Sequence, residues 1–166
     1  MAEIKLGHGK VALVDDEDFE YLSQWPWHYA RGYAERSEKI NGVVCTFKMH
    51  REIMRTPEGM ETDRIDHNPL NNRRSNLRNC TRSQNQMNHQ KKAPAFSRFK
   101  GVGMDRWGSG KPCYSARITI NGKRVRKRFP FTPDGEIMAA KFYNEMAEKH
   151  FGEFANLNNM HSWDYH

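Results

Sequence analysis

Asn121-Gly122 constrains the fold of this chain more than any other feature in it. Two strand-like runs, Tyr114 to Ile120 and Lys123 to Phe129, flank the dipeptide. A two-residue type I′ hairpin turn needs positive φ at both central residues, which Asn and Gly tolerate. Such a turn fixes the register. Ile118 then faces Val125 and Tyr114 faces Phe129 on one side. Arg117 faces Arg126, Thr119 faces Arg124 and Ser115 faces Arg128 on the other. One face is built to pack, and the other is strongly cationic. Pro133 suits a first helical position, and Ala139, Ala140, Tyr143, Met146 and Ala147 recur at helical spacing up to Gly152. The spacing predicts a helix covering the apolar face, with its Met and aromatic stripe serving as core.

That cationic face belongs to a chain of uneven charge. Lys and Arg against Asp and Glu number 6 and 8 in residues 1–50, 9 and 5 in 51–96, and 12 and 7 in 97–166. An acidic start leads into two basic segments, which favours a polyanionic partner from residue 51 onward. At 166 residues the chain holds two small modules or one medium domain. Cys45, Cys80 and Cys113 are isolated, so neither a disulfide framework nor a cysteine zinc knuckle is expected, and a reducing compartment suits the chain. No run approaches a membrane span, and the opening Met-Ala-Glu-Ile-Lys lacks the apolar core of a signal peptide. The expected location is the cytoplasm of the cell that makes the protein.

Upstream, Lys10 to Val14 and Val43 to Phe47 read as short strands in a β-rich N-terminal region. Trp25, Trp27, Tyr29 and Tyr33 read as cross-strand packing in a small core rather than as a platform for bases. Residues 51–63 suggest a short helix and a Pro-Glu-Gly turn at 57–59, and residues 64–80 are polar, Asn-rich and without hydrophobic period, so they read as a loop. Thr81-Arg-Ser-Gln84 fits a capping box at a helix start. The divisions expected are a β-rich region at 1–50, a second module at 51–90, a linker at 91–97, a third module at 98–157 and a tail at 158–166.

One stretch carries a chemical kit: Asp66-His67, with Asn76 nine residues after the histidine and Asn85 nine residues later. Attack on a phosphodiester needs a base to deprotonate water and a hard cation to neutralise the phosphate. Histidine suits the first task near neutral pH, and Asp and Asn oxygens suit Mg²⁺. By residue type alone, a satisfied surface turn is the more ordinary use of such residues. His50-Arg51, Asp66-His67, Asn-Pro-Leu-Asn-Asn-Arg-Arg-Ser-Asn-Leu at 68–77 and Thr81-Arg-Ser-Gln-Asn85 together resemble the HNH homing endonucleases. The resemblance implies a ββα-metal fold, with His67 as general base on the first strand and Asp66 and Asn85 holding one divalent ion, Mg²⁺ or Mn²⁺. It also implies that Asn76 holds the hairpin and orients His67, with Asn72 a weaker choice for the orienting role. One departure stands out: the family places about three more residues between its histidine and the Asn-Pro-Leu segment. Asp63 is near enough for a changed ligand register, though Asp66 is preferred. His50 reads as structural, with phosphate contact the alternative.

The last module also has a likeness. Phe99-Lys-Gly-Val-Gly, Tyr114-Ser-Ala-Arg-Ile, Asn121-Gly-Lys-Arg and the Ala139-Ala140, Tyr143-Asn144, Ala147 helix resemble the Apetala-two/ethylene-response-factor DNA-binding domain. That family lays a three-stranded sheet into the major groove, which agrees with the cationic hairpin face. Arg106, Trp107, Arg117, Arg124, Arg126 and Arg128 are the contact candidates. The fold class expected is therefore α+β: a small ββα-metal nuclease core with a β-rich N-terminal region, plus a three-stranded antiparallel sheet packed on one helix. The function implied is metal-dependent cleavage or nicking of double-stranded DNA by a homing-type enzyme of the kind found in phages. It would act as a monomer on DNA, with no membrane and no small-molecule cofactor. The alternative is a sequence-specific DNA-binding protein with an impaired nuclease core. An RNA-binding protein is disfavoured because the aromatic sheet signatures are missing.

Overall fold

Residues 1–89 and 96–160 are described by a computed structural model. The chain divides into two compact units, Met1–Gln86 and Met87–His166. Most of the expected 91–97 linker and of the 158–166 tail lies outside the described residues.

In the first unit β1 (Ala2–Lys5) and β2 (Val11–Val14) form an antiparallel pair, followed by α1 (Asp16–Leu22). β3 (His28–Ala30), β4 (Tyr33–Ile40) and β5 (Val43–Lys48) form an antiparallel meander that leads into α2 (Met49–Ile53). β6 (Glu61–Arg64) pairs antiparallel with β7 (Leu77–Cys80), and α3 (Arg82–Asn88) follows. These pieces share one core. Ile4, Leu6, Val14 and Leu22 from the N-terminal region pack with Met49, Ile53 and Leu77. Trp27 joins them and donates its indole N–H to the Leu22 carbonyl at 2.8 Å, which settles its one polar group. Trp25 instead lies edge-on to Tyr21 of α1 with the Arg36 guanidinium of β4 over its ring, and both tryptophans lie outside the strands, so neither makes a cross-strand pair.

Two local expectations need correction here. The helix expected over 51–63 is α2, which starts earlier and stops at Ile53, and residues 61–63 lie in β6. The stretch expected as a loop contains a strand. Leu77 and Cys80 turn inward while Arg78 pairs with Asp63 and the Asn79 amide donates to the Met54 carbonyl, so the strand forms without an apolar alternation.

The second unit keeps the predicted hairpin. β8 (Val102–Arg106), β9 (Pro112–Ile120) and β10 (Lys123–Pro130) form an antiparallel sheet with β9 central. The register pairs Ile118 with Val125, Arg117 with Arg126, and Tyr114 with Phe129, and Asn121 and Gly122 hold φ of 49° and 74°. α4 (Pro133–Phe151) lies on the apolar face, where Ala139 and Ala140 meet Val102, Ala116 and Phe129, and Tyr143 and Ala147 meet Ile118. The Thr132 hydroxyl caps the helix by accepting the Gly135 N–H at 3.1 Å. Among the described residues no helix is long and apolar enough to cross a membrane.

Candidate active site and nucleic-acid interface

The loop between β6 and β7 is built almost wholly from side-chain amides. Asn76 accepts the Asp66 backbone N–H at 3.0 Å and donates to Asp66 Oδ1 at 2.8 Å and to the Asn71 carbonyl at 2.9 Å. Asp66 also accepts the Asn68 N–H at 2.8 Å and the Asn71 amide at 2.6 Å. Burial works against ionisation of Asp66, but these donors and the Arg64 charge outweigh it and hold the carboxyl below the usual carboxylate range. The N-terminal region ties the loop down from outside. The Leu13 N–H donates to the Leu70 carbonyl and the Asn72 N–H to the Leu13 carbonyl, both at 2.8 Å. Asp15 accepts the Arg74 N–H, and Asp18 takes the Arg74 guanidinium at 2.7 and 2.9 Å. Part of the acidic start of the chain is thus neutralised by the basic loop it supports.

His67 is not on a strand. β6 ends at Arg64, and His67 sits in the turn beyond it with φ of 61°, its N–H donating to the Arg64 carbonyl at 3.2 Å. Left-handed φ is uncommon outside glycine, so this turn is fixed by its surroundings rather than by preference. The strand end carries a different pair. Asp63 takes both Nε and Nη2 of Arg78 on one oxygen, at 2.8 and 2.7 Å. Arg64 is buried, donates to Asn72 Oδ1 at 2.9 Å and stacks its guanidinium over Tyr33 at 5.3 Å. Asp63-Arg64 lies three residues before Asp66-His67. Taking the pair at the strand end removes the apparent three-residue shortfall before Asn68-Pro69-Leu70. The linear sequence does not mark this pair, because strand ends are set by pairing with β7 and not by the Asp-His string.

The expected residues are only partly brought together. Asp66 and Asn76 are joined directly, whereas the side-chain bonds described for Asn76 go to Asp66 and Asn71 and those of Asn72 go to Arg64, Met49 and Leu70. The direct orienting bond to the His67 ring expected of these two asparagines is not among them, because both amides are engaged within the loop and core. Asn85 donates its amide to Glu61 Oε2 at 2.6 Å. Among the described residues no three His, Cys, Asp or Glu side chains gather into a metal cluster. In donor chemistry, Asp66 and Asn85 still suit a hard divalent ion. Among the described residues Oδ2 of Asp66 accepts a single hydrogen bond and Oδ1 of Asn85 accepts none, and Mg²⁺ needs few protein oxygens beside its waters. Beside this loop His50 is buried with no hydrogen-bond partner for Nδ1, and burial with the charges of Arg64, Lys48 and Arg51 pushes its pKa down to about 3.

In the second unit the arginines line one sheet face. Arg117, Arg124 and Arg126 enclose a notch of about 400 Å³. Arg106 is turned to the Gly110 carbonyl at 2.9 Å and closes the β8–β9 turn, while Trp107 beside it is largely exposed.

A family of HNH endonucleases matches residues 55–87, the segment from the end of α2 through β6, the amide loop and β7 into α3. An HNH endonuclease of Acanthamoeba polyphaga mimivirus is 32% identical over 157 residues, covering 92% of this chain and 76% of that protein. The chain belongs to the HNH endonuclease family. No solved structure matches it. The family segment of this HNH protein therefore coincides with the β6–β7–α3 unit and its amide-stapled loop.

Proposed function

We propose that this chain is a metal-dependent endonuclease that nicks or cuts double-stranded DNA, of the homing type, with its second unit supplying the grip. The observation that carries the proposal is that the family match covers the segment holding Asp66, His67, Asn76 and Asn85. Asp66 and Asn85 would hold one Mg²⁺ or Mn²⁺, which when bound supplies charge neutralisation at the scissile phosphate. His67 accepts the proton of the attacking water. Asn76 keeps the loop closed around Asp66, and Asn72 anchors that loop in the core. The second unit is a DNA-binding domain of the Apetala-two kind, whose sheet presents Arg117, Arg124, Arg126 and Arg128, with Arg106 and Trp107 at the adjoining turn, to the duplex. One nuclease motif serves one bound monomer and one strand cut per binding event.

One observation favours the alternative, a DNA-binding protein with an impaired nuclease core. The residue at the end of β6 is Arg64, which has no basic lone pair to take a proton at neutral pH. A single experiment separates the two: conversion of supercoiled DNA by wild type, His67→Ala and Arg64→His, with and without Mg²⁺ or Mn²⁺. The enzyme predicts metal-dependent relaxed or linear product from wild type and its loss in His67→Ala. The impaired core predicts no product from wild type, retained duplex binding, and nicking gained by Arg64→His.

A further inference from the structure

The cationic sheet face contains one carboxylate, and its placement is specific. Asp105 stands on the edge strand β8, opposite Cys113 on β9. Its Oδ2 nevertheless reaches the far strand β10, where it accepts from Arg126 Nη1 at 3.0 Å and Arg128 Nε at 3.2 Å, and it lies 3.9 Å from Arg117 Nη2 on β9. A bridge across a middle strand requires that strand to be low. The floor here is small: Gly103, Cys113 and Ser115, the last two fully buried beneath the side chains, and a Cβ on Gly103 would touch the Arg117 guanidinium at 3.9 Å. Arg117 is further pinned by Ser115 Oγ at 2.9 Å and the Met104 carbonyl at 2.8 Å. The Arg106 backbone N–H, with Arg128 and Arg126, keeps Asp105 ionised by holding its pKa below the usual range. Arg124, by contrast, has no hydrogen bond or ion pair among the described residues.

We infer that Asp105 is a positioning residue for DNA recognition: an internal anion that fixes Arg117, Arg126 and Arg128 in one row and offsets their pull on any phosphate. This rests on the proposal that the sheet grips duplex DNA. Two effects follow. Guanidinium groups held in one geometry present their remaining N–H edges to bases at a fixed spacing, which raises discrimination. A duplex that offers only phosphates must compete with a carboxylate already in place, which lowers indiscriminate affinity.

The test measures binding of the full chain, without divalent metal, to two duplexes over a range of salt: random-sequence DNA, and a duplex selected from a random pool by the wild type. Asp105→Asn should bind random duplex about tenfold more tightly at low salt, with a salt slope steeper by about one, as expected for one more phosphate contact. Its preference for the selected duplex should fall about tenfold, the size of one bidentate base contact. Asp105→Ser, which leaves no amide oxygen to replace the carboxylate, should do the same, and Asp105→Glu should restore both quantities. If the wild type binds duplex and the Asn and Ser variants match its slope and preference, the role of Asp105 is overturned alone. Failure of the wild type to bind either duplex overturns this role together with the DNA-gripping sheet.

Discussion

Below pH 6.5 the buried His50 should weaken the first unit. The unfolded chain takes up a proton on this ring near its ordinary value of 6.5, whereas the folded pKa lies at about 3. Between those limits the unfolded state binds more protons, so stability is full above about pH 6.5 and falls as the pH drops toward 3. The slope approaches about 1.4 kcal/mol per pH unit. Urea titrations across that window should show the slope in wild type and lose this contribution in His50→Phe. Asn72 gives a second test at this scale. It is fully buried and accepts an N–H from the buried Arg64 guanidinium, so Asn72→Leu removes the acceptor of a charged donor and should cost about 2 kcal/mol. The urea midpoint at neutral pH reports it. Neither residue's setting was legible in the sequence. His50 reads only as structural in outline, and the orienting role that the resemblance implies for Asn72 gives no sign of its partners Arg64 and Met49. Burial of a polar side chain is decided by what folds over it, which a linear pattern of asparagines does not encode.

Elements divided by how locally they are determined. The β9–β10 hairpin was legible to the residue, because an Asn-Gly turn fixes register by itself, and the capping box of α3 was legible because it spans four residues: the Thr81 N–H meets Gln84 Oε1 at 2.8 Å and the Gln84 N–H meets Thr81 Oγ1 at 3.3 Å. β6 and β7 were not, since each is polar and exists through its partner thirteen or more residues away. That is also why His67 was expected on a strand that ends before it. In the second unit the close approach of β8 and α4 makes a sharp prediction. Gly101 holds φ of 75°, and a Cβ there would collide with the Tyr143 ring. Gly101→Ala should destabilise that unit by about 3 kcal/mol, combining backbone strain with overpacking. Thr132→Ala, which removes only the cap of α4, should cost about 1 kcal/mol. Thermal unfolding followed by circular dichroism should rank the two in that order.

At the scale of the whole chain, charge asymmetry was legible from counting, but its internal bookkeeping was not. Arg74, one of the basic loop residues, is ion-paired with Glu17 and Asp18 from the acidic start, and Asp105 occupies Arg126 and Arg128. The count of 27 Lys and Arg residues therefore overstates the cations free to meet a polyanion. On the proposed reading, duplex affinity should still fall linearly with log salt, and Arg124→Ala, which removes an arginine with no carboxylate on it among the described residues, should make that slope shallower by about one. Fluorescence anisotropy with a labelled duplex measures both. A last consequence comes from the cores. The apolar clusters of the two units share no side chain: Ile4, Leu22 and Met49 belong to one, Phe99, Ala140 and Tyr143 to the other. Damage to either interior leaves the other's packing contacts in place, so drift accumulates in each half on its own account. A lineage carrying this architecture can lose or exchange one half without rebuilding what remains.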